Sequence, residues 1–256
     1  MITIDLNSDL GESFGHWTMG DDTAMLALVT SANVACGGHA SDPETMFAAL
    51  SEAKTRGVTI GAHPGYADKE GFGRRIVPMT EAEIERLIAA QIGALMGVAA
   101  LAGAHVRYVK PHGALGNLAA DNRGVAASVA RATRAISQDL ALLAISGTEL
   151  ESVGRDAGLA VYSEVFADRA YLATGRLVPR SRPDAMIENS GAASDRLLGF
   201  LETGLMPTLD GASIRLEAHS ICVHGDSHGA VAIARKIRER LAARGVSLQP
   251  FIASSP

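Results

Sequence analysis

The chain has 256 residues, 47% apolar but only 4% aromatic, so it can fill a single α/β domain (1–256) with a core of Ala, Leu, Val and Ile. Its net charge is −5 and it has no Lys/Arg block, which argues against nucleic acid and anionic membranes as partners. Cys36 and Cys222 are too few for a disulfide framework, and both read as small thiols in buried strands.

The first predicted strand covers 2–9, and its period of two puts Asp5, Asn7 and Asp9 on one face. Further strands are expected at 31–36, 59–63, 106–112, 140–146, 160–167 and 220–224. Helices are expected between them. Asp42 as N-cap and Pro43 at the first helical position open one that runs to about residue 56, where Gly57 closes it. Thr80 and Glu83 form a capping-box pair at the head of the longest, which ends near Gly103. Others are expected at 122–137, 148–157, 184–203 and 228–244.

This alternation predicts a parallel sheet. Polar, glycine-rich clusters follow nearly every strand, and no dinucleotide-binding glycine fingerprint follows the first. Both points favour a closed β/α barrel of about seven strands over an open doubly wound sheet. Residues 168–183 form a long loop rich in Arg, Gly and Pro, expected to act as a lid, and 254–256 are expected to fray. No apolar stretch of membrane-spanning length is expected. The first strand follows Met1 directly, so no leader and a reducing cytoplasm are expected.

In such a barrel, residues at strand carboxyl ends converge on one mouth. Asp9, His39, His63, Lys110, His112 and His224 all hold that position. Asp9 is a candidate for general acid/base work, while Glu12 suits capping of the next turn. Asp9, His39 and His63 offer donors for a divalent metal, although their spacing is not diagnostic. Lys110 is one of only four lysines and is placed to stabilise an anion, with His112 two residues on to shuttle a proton. Glu164, Phe166, Asp168 and Arg169 end the sixth strand. Asp226 either orients His224 or caps the last helix. Arg74 and Arg75 offer guanidinium forks for a carboxylate or phosphate. No P-loop and no nucleophile-elbow pattern occurs.

Together the segments DLNSDLGESFG (5–15), NVACGGHASDP (33–43), GAHPGYAD (61–68), GFGRR (71–75), VKPHGALGN (109–117), SEVFADRAY (163–171), GRLVPR (175–180) and ICVHGD (221–226) resemble the LamB/YcsF family. The chain departs from that pattern at Gly116, where the family usually has Tyr, and at His228, where it usually has Pro. The resemblance implies a seven-stranded barrel like that of glycoside hydrolases and polysaccharide deacetylases. It also implies the A component of an ATP-dependent 5-oxoprolinase, which opens 5-oxo-L-proline to L-glutamate with two other subunits, B and C. ATP would be bound with or by those partners, since this chain has no recognisable nucleotide loop. The expected catalytic groups are Asp9, His63, Lys110, His112 and Asp168. The expected substrate contacts are Asn7, Glu12, His39, Arg74, Arg75, Arg169, His224 and Asp226. Two other readings are a stand-alone metal-dependent deacetylase or amidohydrolase, and a non-catalytic substrate-delivery subunit.

Overall fold

The computed structural model describes residues 2–187, 189–225 and 229–252. In chain order its elements are β1 (Thr3–Leu10), α1 (Asp22–Leu26), β2 (Ser31–Ala35), α2 (Pro43–Thr55), β3 (Thr59–His63), α3 (Glu81–Ala102), β4 (Val106–Val109), α4 (Gly113–Asp121) and α5 (Arg123–Ile136). There follow β5 (Ala141–Ile145), α6 (Glu149–Asp156), β6 (Val161–Phe166), α7 (Ser190–Thr203), β7 (Leu205–Pro207), β8 (Ser213–Arg215), β9 (Ser220–Cys222), α8 (Ala230–Ala243) and β10 (Ser247–Leu248).

Strands β1 to β6 and β9 pair in parallel, and β9 pairs back onto β1, which closes a seven-stranded barrel. All seven predicted strands are present. β10 adds to the outside of β1, and β7–β8 form a small antiparallel hairpin.

The predicted caps take shape. Asp42 accepts from Thr45 N, Thr80 and Glu83 form a complete capping box, and Gly103 ends α3 in the left-handed region at φ 59°. Two short helices, α1 and α4, have no counterpart in the sequence pattern. Helix α4 lies in the glycine-broken stretch after His112, where apolar periodicity is hard to see. Helix α7 begins at Ser190 rather than near 184, because Ala185 and Ile187 are tied by backbone bonds to Ala170 and Asp168. Those bonds, with short bridges Arg169↔Met186 and Tyr171↔Leu177, knit the 168–187 segment into a wall of the barrel mouth.

Contrary to expectation, α3 is long and apolar enough, by length and composition, to cross a membrane. Its Ile84, Ile88, Ile92 and Leu95 are fully buried here against the rest of the fold.

Outward strand residues such as Leu6, Val34, Ala62, Leu142 and Ile221 pack under the helices in one continuous apolar core. The barrel interior is layered differently. Tyr108, Leu143, Tyr162 and Phe251 close its floor. Above them stands a polar ladder, not an apolar filling. Asp5 accepts hydroxyls from Thr30, Ser31 and Ser220, and Asn7 donates to Glu164 Oε1 at 2.9 Å. Asn33 donates to Asn7 and Asp9 and accepts from Tyr108 Oη at 2.6 Å. Gly61 is the inward residue of β3 at this level, and the Tyr108 ring occupies the space any side chain there would need. The buried polar groups are tolerable because they satisfy one another.

Candidate active site

The polar ladder rises into a cavity of about 480 Å³ at the carboxyl ends of the strands. At its base the Lys110 ammonium lies 3.0 Å from Asp9 Oδ1, 2.9 Å from Glu164 Oε1 and 3.1 Å from Cys222 Sγ. The chain leaves β4 at Val109, and the Lys110 backbone N–H still bonds to Ala62 O. The lysine is thereby aimed inward although it lies past the strand end. Burial opposes its charge, but Asp9, Cys222 and Glu164 hold its ammonium well above the usual range. Burial would likewise raise the Asp9 carboxyl, yet His63 and Lys110 hold it well below the ordinary carboxylate range. Asp9 is therefore ionised at neutral pH.

Beside this pair stand three imidazoles. His39 and His112 stack face to face, with centroids 3.6 Å apart and planes 8° from parallel. His63 meets both edge-on. His39 Nε2 lies 3.1 Å from Glu12 Oε1. Burial, then the neighbouring imidazoles, pushes both His39 and His112 well below the usual histidine range, so they are neutral near pH 7. Phe72 covers the stack edge-on from a left-handed backbone, φ 53°, a conformation that costs a non-glycine residue on the order of 1 kcal/mol. Gly73 follows at φ 61°, where a Cβ would sit 2.6 Å from that of His39.

The donor chemistry here fits a divalent metal. Glu12, His39, His63 and His112 each offer one atom, all within 4.8 Å of one another and all buried. His63 Nδ1 is 2.6 Å from the Lys110 carbonyl, which fixes Nδ1 as a donor and turns Nε2 toward Asp9 and the other imidazoles. That Nε2 is buried without a hydrogen-bond partner, 3.3 Å from Asp9 Oδ1. An imidazole with one nitrogen pinned by a backbone carbonyl has the ring orientation that proteins give to metal ligands. A second grouping, Asp9, Cys222 and His224, fits poorly, because the Lys110 ammonium already stands between Asp9 and Cys222.

Close to Asp9 and Cys222, His224 turns its Nδ1 to Asp168, 2.9 and 3.0 Å from the two carboxylate oxygens. The orienting role open to Asp226 is thus filled by Asp168, which holds His224 and does not itself line the cavity. Asp226 and the departure at His228 lie outside the described residues.

The structure brings Asp9, Glu12, His63, Arg74, Lys110, His112, Arg169 and His224 to the lining of one cavity. Three expected substrate contacts are placed otherwise. Asn7 is fully buried below the cavity, where it braces Glu164 and Lys110. His39 lies behind His112. Arg75 turns away to a two-pronged pairing with Asp68, which holds that carboxyl below its usual range, and its side chain is 61% exposed. Glu164, Phe72 and Arg180 line the cavity and are not among the site residues expected from the sequence. Glu164 is legible as a strand-end residue sharing a face with Phe166, but its pairing with Lys110 is not. Gly116 also lines the cavity, and a side chain there would press on the Pro111 carbonyl at 2.7 Å.

Comparison with known proteins agrees with this architecture. The model of the LamB/YcsF family matches residues 4–255. The A subunit of 5-oxoprolinase from Gluconobacter oxydans is 47% identical over 247 residues, covering 96% of this chain and 97% of that one. A crystal structure of the lactam utilization protein of Thermus thermophilus superposes with a TM-score of 0.91 at 39% identity, covering 97% and 99% of the two chains. The structure of T48 deacetylase with substrate shares the fold alone, with a TM-score of 0.50 at 13% identity over 98% and 88% of the chains. The chain belongs to the LamB/YcsF family.

Proposed function

We propose that this LamB/YcsF protein is the ring-opening subunit of an ATP-dependent 5-oxoprolinase, converting 5-oxo-L-proline to L-glutamate with two partner subunits. The observation that carries the reading is the buried Asp9–Lys110–Glu164 set at the base of the cavity, in a chain similar throughout its length to a protein named as the A subunit of 5-oxoprolinase.

A five-membered lactam is a stable amide. Opening it needs an activated carbonyl carbon, an aimed water and a proton for the leaving nitrogen. Phosphorylation of the lactam oxygen by ATP, on or with the partners, activates the carbon. One water then adds there, the C–N bond breaks, and a second water releases phosphate from the resulting acyl phosphate. Asp9, held ionised, is the group to accept a proton from the attacking water. Lys110 stabilises charge developing on the oxygen. His224, oriented by Asp168, is the group we assign to protonate the nitrogen, and His112 is held neutral by burial and the neighbouring imidazoles. A divalent ion held by Glu12, His39, His63 and His112 would polarise a bound oxygen and assist the same addition. That cluster is also the one feature favouring a second reading, a metal-dependent amidohydrolase acting without ATP.

The test is release of glutamate and ADP from 5-oxo-L-proline and ATP, with this chain alone, with both partners, and with Asp9→Asn in the full set. Turnover only in the full set, lost in the variant, is expected. Glutamate release by the chain alone without ATP would favour the amidohydrolase. Full activity of the Asp9→Asn complex would leave the chain a delivery subunit.

A further inference from the structure

The cavity also carries two arginines that are incompletely paired among the described residues. Arg169 is 4% exposed. Its Nη2 donates to Val178 O at 2.6 Å, while its buried Nε has no partner. The adjacent Asp168 offsets part of its charge from nearby but gives Arg169 no hydrogen bond, because both carboxylate oxygens of Asp168 are engaged by His224 Nδ1. Arg180, on the same hydrogen-bonded segment, is half-buried and lines the cavity. Among the described residues it makes no hydrogen bond or ion pair. The two guanidiniums are close enough to repel. Burial, then Arg180, lowers Arg169 to about 10, and Arg74 adds to the effect. A buried, incompletely bonded guanidinium facing a second cation is a costly arrangement unless an anion completes it.

We propose that Arg169 and Arg180 form a carboxylate-binding subsite that selects cyclic amides bearing an acid group over neutral ones. Guanidinium forks match a planar carboxylate. The neighbouring wall is apolar, with Leu143, Ile145, Leu150 and Leu177 lining the same cavity. A small ring can lie against that wall with its acid group held by the arginines and its amide turned toward Lys110. The choice of a cyclic amide rests on the function proposed above. The carboxylate subsite itself does not.

Two measurements on the full chain test it. In calorimetry, 5-oxo-L-proline should bind at least about tenfold tighter than 2-pyrrolidinone, the same ring without the acid. Arg180→Gln should remove most of that ratio without changing 2-pyrrolidinone affinity, and Arg180→Lys should restore only part of it. In the second, phenylglyoxal labelling of Arg180, read by peptide mass, should be slowed by acetate and by 5-oxo-L-proline, and less by inorganic phosphate. An unchanged ratio in Arg180→Gln overturns the subsite and leaves the lactam reading standing. Protection by acetate but not by 5-oxo-L-proline keeps the subsite and removes the lactam. Protection by neither, or by phosphate in preference to carboxylates, overturns the subsite.

Discussion

The ammonium of Lys110 stands 3.0 Å from Asp9 Oδ1 with both side chains more than nine-tenths buried. In the function proposed above, a pair so placed serves chemistry and fold at once. Lys110→Met should raise the reaction barrier by about 2–4 kcal/mol, as loss of an oxyanion donor does. Lys110→Arg should rescue little, since a point charge touching four groups gives way to a planar fork.

The sequence alone suggests that folding would be indifferent to this change, because strand ends open into a solvated mouth. The burial of Lys110 reverses that expectation. Removing it leaves Asp9 and Glu164 facing each other in the barrel, so Lys110→Met should also cost about 3–5 kcal/mol of stability. Adding Glu164→Gln should recover part of the stability and none of the turnover. Urea unfolding and steady-state turnover of the reconstituted enzyme separate the two effects. Wild-type stability in Lys110→Met would show that the cavity admits enough water to solvate the carboxylates.

Asp5 sets a pH dependence. Burial raises its carboxyl from 3.8 to about 6, despite hydroxyl bonds from Ser220, Ser31 and Thr30. The folded state then holds a proton that the unfolded chain releases between these two values. Stability should therefore fall as pH rises from about 4 to 6, by about 3 kcal/mol from this residue, and stay lower above that. Asp5→Asn should flatten that part of the stability-versus-pH curve, measured by urea titration. An unaltered slope would assign the loss to other groups.

Gly61→Ala should be destabilising by about 1–3 kcal/mol, because the added methyl meets the buried Tyr108 ring. Displacing the ring also breaks its bond to Asn33, which in turn donates to Asp9. Activity should fall with stability even though residue 61 touches no substrate. A variant with normal unfolding would mean that the floor repacks freely.

The imidazole cluster predicts binding of a divalent ion by the metal-stripped chain. Cobalt(II) should give a d–d absorption band that His63→Ala weakens, with affinity down by about tenfold or more. Binding should weaken as pH falls and the imidazoles protonate. Absence of any band at millimolar cobalt would leave the histidines as a stacked wall of the cavity.

Asp168→Asn should lower kcat by about tenfold or more with KM little changed, since Asp168 reaches the substrate only through His224. A substitution to Asn can present its amide N–H to Nδ1 and reverse the imidazole tautomer. Nitrogen chemical shifts of His224 report that reversal directly. Equal kcat with an unaltered tautomer would make the pair a packing contact.

Local chemistry in the sequence determined the seven strands, most helix starts and stops, and the ring of strand-end residues at one mouth. Asp42, Thr80 with Glu83, and Gly103 act within a few residues of themselves, and period-two alternation alone turns Asp5, Asn7 and Asp9 inward. Only the tertiary structure decided which of these groups meet. Glu164 and Asp9 are far apart along the chain, yet closure of β9 onto β1 and β6 brings both onto Lys110. Arg75 has the same local chemistry as Arg74, but Asp68 seven residues away captures it, and the pocket receives Arg180 from a different segment. His39 and His112 stack because the loops after β2 and β4 are pressed together under Phe72. Periodicity and capping are properties of neighbours in sequence, whereas ion pairs and stacked rings depend on through-space distance, which barrel closure sets.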